Sequence, residues 1–93
     1  MLGFEIHLNS ELLCIAAFRG DGLLVAAIDH IYQEDPSLET FLRVLGSPRS
    51  VKENLYFAEK QLKPGDEVVI RIVETDRFTD PIRRQDVSVP SSN

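Results

Sequence analysis

Apolar and polar residues alternate with a period of two at the start of the chain. Phe4, Ile6 and Leu8 fall on one side; Glu5, His7 and Asn9 fall on the other. That spacing predicts a strand over residues 3–8 with one wet face. Asn9-Ser10 is a turn signal, and the next run, LLCIAAF (12–18), is long enough for a second strand, so residues 3–18 read as a hairpin. Arg19-Gly20-Asp21-Gly22 breaks the apolar pattern again. Its two glycines and aspartate are what a hairpin turn between two apolar runs requires. The Arg-Gly-Asp letters, familiar from adhesion loops, are therefore read as a turn.

The stretch LLVAAIDHIYQ (23–33) fits two periods. Leu24, Ala27, Ile28 and Ile31 fall at helical spacing, and Asp21 stands where it would cap a helix. As a strand, the same run is apolar on both faces. The glycine-rich turn before it favours the strand. Asp35-Pro36-Ser37 ends the element. Strands are then expected at 39–45 and 53–59, separated by a loop GSPRS (46–50). Pro64-Gly65 fits the two central positions of a type II turn, leading into a strand with Val68, Ile70 and Ile72 on one face. DVSV (86–89) offers a short edge strand.

These elements predict a mainly β fold: about six largely antiparallel strands, arranged as a sandwich or half-open barrel. The alternative is an α+β fold with a helix at 22–33. Residues 1–76 form one domain. Residues 77–93 are polar, carry Pro81 and Pro90, and read as a partly ordered tail.

The segments FEIHLNSELLCIAAF, GDGLL and LKPGDEVVIRIVE, in this order and spacing, resemble a group of small bacterial proteins of unknown function. The resemblance spans residues 3–75. In that group the stretch matching 23–32 is richer in β-branched and aromatic residues, which supports the strand there. A glycine pair is expected after Val44, where this chain has Leu45-Gly46. The resemblance brings no activity, ligand or catalytic residue with it.

The run 12–18 holds no charge, and both of its faces are apolar: Leu13, Ile15 and Ala17 on one, Leu12, Cys14, Ala16 and Phe18 on the other. Two such neighbouring strands would bare on the order of 200–300 Å² of apolar sheet, which folded proteins normally cover. Ninety-three residues are little material for covering both faces of a sheet. A protein partner or a second copy of the chain is therefore expected, with Leu12, Cys14, Ala16 and Phe18 as the candidate interface. A net charge of −5 points away from nucleic-acid binding by phosphate neutralisation. No apolar run is long enough to span a membrane as a helix. With one cysteine and no visible signal peptide, a cytoplasmic setting is expected.

Little in the chain carries chemistry. Cys14 sits in an apolar run without a neighbouring base and reads as a buried, inert thiol. No residue is assigned a catalytic or metal-binding role, and no cofactor is implied. Tyr32, Tyr56 and Phe57 are candidates for stacking on a small ligand or carbohydrate. A third reading gathers His7, His30, Glu5 and Asp29 into a metal-dependent enzyme site. Arg77, Arg83 and Arg84 form a basic cluster that Asp76, Asp80 and Asp86 balance in solvent. The leading functional reading is a non-enzymatic interaction module.

Overall fold

The turn at Asn9-Ser10 forms with both residues at positive φ, 52° and 72°, the backbone that a tight two-residue hairpin needs. It joins β1 (Leu2–Leu8) to β2 (Glu11–Ala16). The computed structural model describes residues 1–34 and 39–87. Five further strands follow: β3 (Gly22–His30), β4 (Thr40–Pro48), β5 (Glu53–Leu62), β6 (Val68–Glu74) and β7 (Arg83–Asp86). They make two antiparallel sheets, ordered β2-β1-β6 and β3-β4-β5-β7. The architecture is all-β and sandwich-like. Residues 22–30 are strand, not helix, and no helix occurs among the described residues.

Several expectations change. The Arg-Gly-Asp-Gly turn does not close a hairpin, because β2 pairs with β1 while β3 pairs with β4. It carries the chain from one sheet to the other. The expected loop 46–50 begins late, since Gly46, Ser47 and Pro48 continue β4. Within the segment 77–93, expected as a partly ordered tail, the described residues 77–87 pack on the rest of the fold. Thr79 bonds to Ile15 on the edge of β2, Ile82 N–H donates to Tyr56, and β7 pairs with β5. The edge strand among the described residues is Arg83–Asp86; Ser88 and Val89 of the expected DVSV strand lie outside them. Residues 88–93 and the break at Asp35-Pro36-Ser37 lie outside the described residues.

The core lies between the sheets. Ile6, Cys14 and Ala16 from one sheet meet Leu42, Val44, Leu55, Phe57, Ala58 and Leu62 from the other. Two bulges set which residues point inward. In the β1–β2 pairing, Ile6 lies opposite Cys14 but His7 lies opposite Leu12, so Leu13 is the extra residue. In the β4–β5 pairing, Val44 faces Ala58 and Leu45 faces Tyr56, which makes Phe57 the extra residue and turns it into the core. Phe18 packs its ring over Gly46, where a Cβ would come within 2.8 Å of that ring. The glycine after Leu45 thus has a packing reason: it makes room for Phe18 between the sheets.

The two sheets overlap only in part. β2 is the strand that lies on β4 and β5. β6 stands two strands away and overhangs. Its Ile70 and Ile72 share a face with buried Ile6 and with Phe4, yet both are exposed. The turn into β6 is the expected one: Gly65 has φ 94°, and Asp66 N–H donates to the Lys63 carbonyl at 3.1 Å. Asn9 ties the two turns together. Its amide donates to Asp66 Oδ1 and its Oδ1 accepts from Glu67 N–H, each at 2.9 Å. The bond from the Asn9 amide, with that from the Lys63 N–H, holds the Asp66 carboxyl below the usual carboxylate range.

Candidate interaction surface

The sheet edges differ in the backbone groups they leave exposed. An open sheet has two edges, each with a row of unpaired N–H and C=O groups. Three of the four edges here are blunted. β7 is four residues long, Arg83–Asp86, and all four are polar. Arg83 makes a fork to Glu59, with Nε and Nη2 donating to the two carboxylate oxygens at 2.7 and 2.8 Å. Its guanidinium also stacks 3.7 Å from the Tyr56 ring centre. The fork lowers the Glu59 carboxyl pKa and raises that of Arg83. On β2, Ile15 donates to Thr79 Oγ1 and accepts from Thr79 N–H, both at 2.9 Å, so this edge is occupied at its middle. β6 carries Arg71 at its centre.

β3 differs. It is nine residues long, GLLVAAIDH, and Leu23 through Ile28 contain neither charge nor proline. Among the described residues it pairs with β4 alone. Two bonds fix which groups face outward. Ile31 N–H donates to the Glu39 carbonyl and Arg49 N–H donates to the Asp21 carbonyl, at 2.8 and 2.7 Å. In this register the odd-numbered residues of β3 form the hydrogen-bonded pairs with β4. The N–H and C=O groups of Gly22, Leu24, Ala26, Ile28 and His30 therefore point away from the sheet. Pro48, which has no N–H, sits opposite Gly22, where no ladder bond is needed. Leu23 on the outer face and Ile28 on the inner face are both exposed.

The residues singled out from the sequence are dispersed. The bulge at Leu13 separates Leu12 from the rest of its group: Leu12 is exposed opposite His7, while Cys14 and Ala16 point into the core. Cys14 and Ala16 are thus covered by the chain's own second sheet. Phe18 is half-buried over Gly46. These four residues do not form one surface. Burial pushes the Cys14 thiol up to about 11, consistent with an inert cysteine.

The three aromatics also separate. Phe57 is core, Tyr56 lies under Arg83 with its hydroxyl donating to Gln85, and Tyr32 is exposed with its ring edge-on to His30 at 4.5 Å. A cleft of ≈ 680 Å³ is lined instead by Leu8, His30, Glu39, Lys60 and Leu62 among others. The four-residue metal grouping is not assembled. His7 Nε2 meets Glu5 at 3.0 Å in one sheet. In the other sheet, His30 Nδ1 lies 2.9 Å from Thr40 Oγ1, and Asp29 pairs with Arg43 at 2.8 Å. Among the described residues no group of three or more His, Cys, Asp or Glu could hold a metal ion. Arg83 and Arg84 pair with Glu59 and Glu53 on β5.

Sequence reasoning passed over Glu39, a buried carboxylate that accepts the Gln33 N–H at 2.8 Å and lies 3.8 Å from His30 Nε2. It also missed the edge position of β3. The only available signal was the absence of a charge between Asp21 and Asp29.

Comparison with protein-family models, with curated proteins and with solved structures finds no match. Among the described residues no helix is long and apolar enough to cross a membrane.

Proposed function

We propose that this protein is a non-enzymatic protein-interaction module that accepts an extended strand along the free edge of β3. One observation carries the reading: β3 is the edge whose central six residues, Leu23–Ile28, lack every device that keeps strands apart. Main-chain groups of five residues supply the hydrogen bonds. Leu23, Val25 and Ala27 on one face and Leu24, Ala26 and Ile28 on the other supply apolar contacts to an incoming strand. The shared outward direction of the bonding groups means that partners are selected by extended shape and apolar alternation more than by charge.

A titration tests this. The isotope-labelled protein is held dilute while a short peptide of alternating valine and threonine, or a peptide copy of residues 22–30, is added. The amide resonances of Leu24, Ala26 and Ile28 are expected to move first, with β7 unaffected. Absence of movement with either peptide at saturating concentration, or movement centred on β6 or β7, would overturn the reading.

A further inference from the structure

We infer that the strand accepted by β3 is β3 of a second copy, paired antiparallel about Ala26, joining two four-stranded sheets into one eight-stranded sheet. The inference rests on the interaction reading above and names its partner.

The strand is complementary to itself. A two-fold axis normal to the sheet keeps each side chain on its own face, so only registers that pair residues of equal parity are allowed. Centred on Ala26, the register pairs Gly22 with His30, Leu24 with Ile28, Ala26 with Ala26, and the reverse. These are the five residues whose N–H and C=O groups point away from β4. Every outward donor then meets an outward acceptor along the whole strand, from Gly22 to His30. Between them, Val25 lies against Ala27 and Leu23 against Asp29. No two like charges meet.

Neighbouring registers fit less well. Centring on Val25 brings Asp21 of each copy against Asp29 of the other, and like charges directly opposite are destabilising. Centring on Ala27 leaves Gly22 unpaired within the strand and puts Asp29 against Val25. The same test excludes β6. Its full-length pairing, over Val68–Glu74, is centred on Arg71 and would set two guanidinium groups against each other.

The seam is about 30 Å long at the usual strand rise and one strand pair wide. With a sheet layer roughly 10 Å thick, the two edges together bury on the order of 600 Å², below the ~1,200 Å² of a stable specific interface, so the dimer belongs to the weak, concentration-dependent class.

Sedimentation equilibrium from roughly 1 μM to 1 mM covers the affinities of that class. The wild-type chain is expected to pass from monomer to dimer. In Ala26→Pro the missing N–H is one that faces outward, so the bonds to β4 stay intact while the centre of the seam is blocked. It should remain monomeric with the wild-type far-ultraviolet spectrum. If that variant loses the spectrum, Ile28→Pro, at a more exposed outward position, replaces it. Register is read from Leu23, which is 61% exposed and tolerates a charge. Leu23→Asp sets two like-charge pairs against Asp29, and Leu23→Lys sets two opposite-charge pairs. The aspartate variant should associate about 2- to 30-fold more weakly than the lysine variant at low salt.

Wild-type protein that stays monomeric to millimolar concentration overturns the inference, as does a folded proline variant that dimerises normally. Equal association of Leu23→Asp and Leu23→Lys overturns the register. A strict monomer whose β3 amides still respond to the valine-threonine peptide removes self-pairing and keeps the interaction module. A strict monomer with no peptide response removes both.

Discussion

Ile6 and Ile72 lie on the same face of the three-stranded sheet, on strands that pair directly, but replacing them should have very different costs. Ile6 is 0% exposed and Ile72 is 70% exposed. For Ile6→Ala, the lost transfer energy and the cavity between the sheets together cost about 2–5 kcal/mol. Ile72 retains only about a third of its burial, so Ile72→Ala removes roughly 0.5–1 kcal/mol of the ~1.5–3 kcal/mol that full burial supplies. The lower strand propensity of alanine affects both variants alike and cancels in the comparison. The gap is therefore about 1.5–4 kcal/mol, or at least ~6 °C in Tm for a domain of this size. Against a total stability of ~5–14 kcal/mol, Ile6→Ala is a severe change and Ile72→Ala a mild one. The chain has no tryptophan, so urea unfolding is followed by far-ultraviolet circular dichroism at low-micromolar concentration. Equal losses from the two substitutions would refute the partial overlap of the sheets and show that the face of β6 is covered.

Other outcomes follow from the same packing. Gly46→Val forces a branched side chain into the Phe18 ring and should cost about 1–3 kcal/mol or more in the same denaturation assay. Cys14, with its thiol pushed up to about 11, should react with a thiol reagent only as fast as the protein opens; rapid labelling of native protein would contradict its burial. Glu59 has a folded pKa below its unfolded value because Arg83 holds the carboxylate. Its contribution is thus complete above the ordinary glutamate range and is lost as pH falls through the depressed folded value. Titration followed by carboxyl chemical shift should place Glu59 below the other glutamates, and Arg83→Gln should return it to the usual range. Asn9→Gly keeps the positive-φ backbone and removes the side-chain bonds to Asp66 and Glu67. It should raise the Asp66 pKa toward normal and loosen the β5–β6 turn, read as faster amide exchange at Asp66 and Glu67.

Local geometry was largely legible in the sequence. Alternation placed β1, Asn9-Ser10 gave the hairpin, and Pro64-Gly65 gave the type II turn, because each depends on residues adjacent in the chain. Sheet membership was not legible. The Arg-Gly-Asp-Gly turn shows that the chain breaks there, but not that it changes sheets. Bulges are equally silent. One extra residue at Leu13 moved Leu12 to the opposite face from Cys14 and Ala16, and a strict period of two cannot register that shift. β7 has no strand signature of its own. Arg83 and Arg84 are held there by Glu59 and Glu53, partners more than 20 residues away in sequence. The free edge of β3 is the most non-local property of all. Its apolar run was visible, but that no further strand pairs beyond it among the described residues is a property of the whole sheet order.

Amide hydrogen exchange along β3 in dilute protein tests the central claim most directly. If β3 is an open edge in the register described, protection alternates. Val25, Ala27 and Asp29 exchange slowly because their N–H groups bond to β4, while Leu24, Ala26 and Ile28 exchange nearly as fast as in an unfolded chain. Uniform protection along the strand, or protection of the even-numbered residues in a verified monomer, would contradict it.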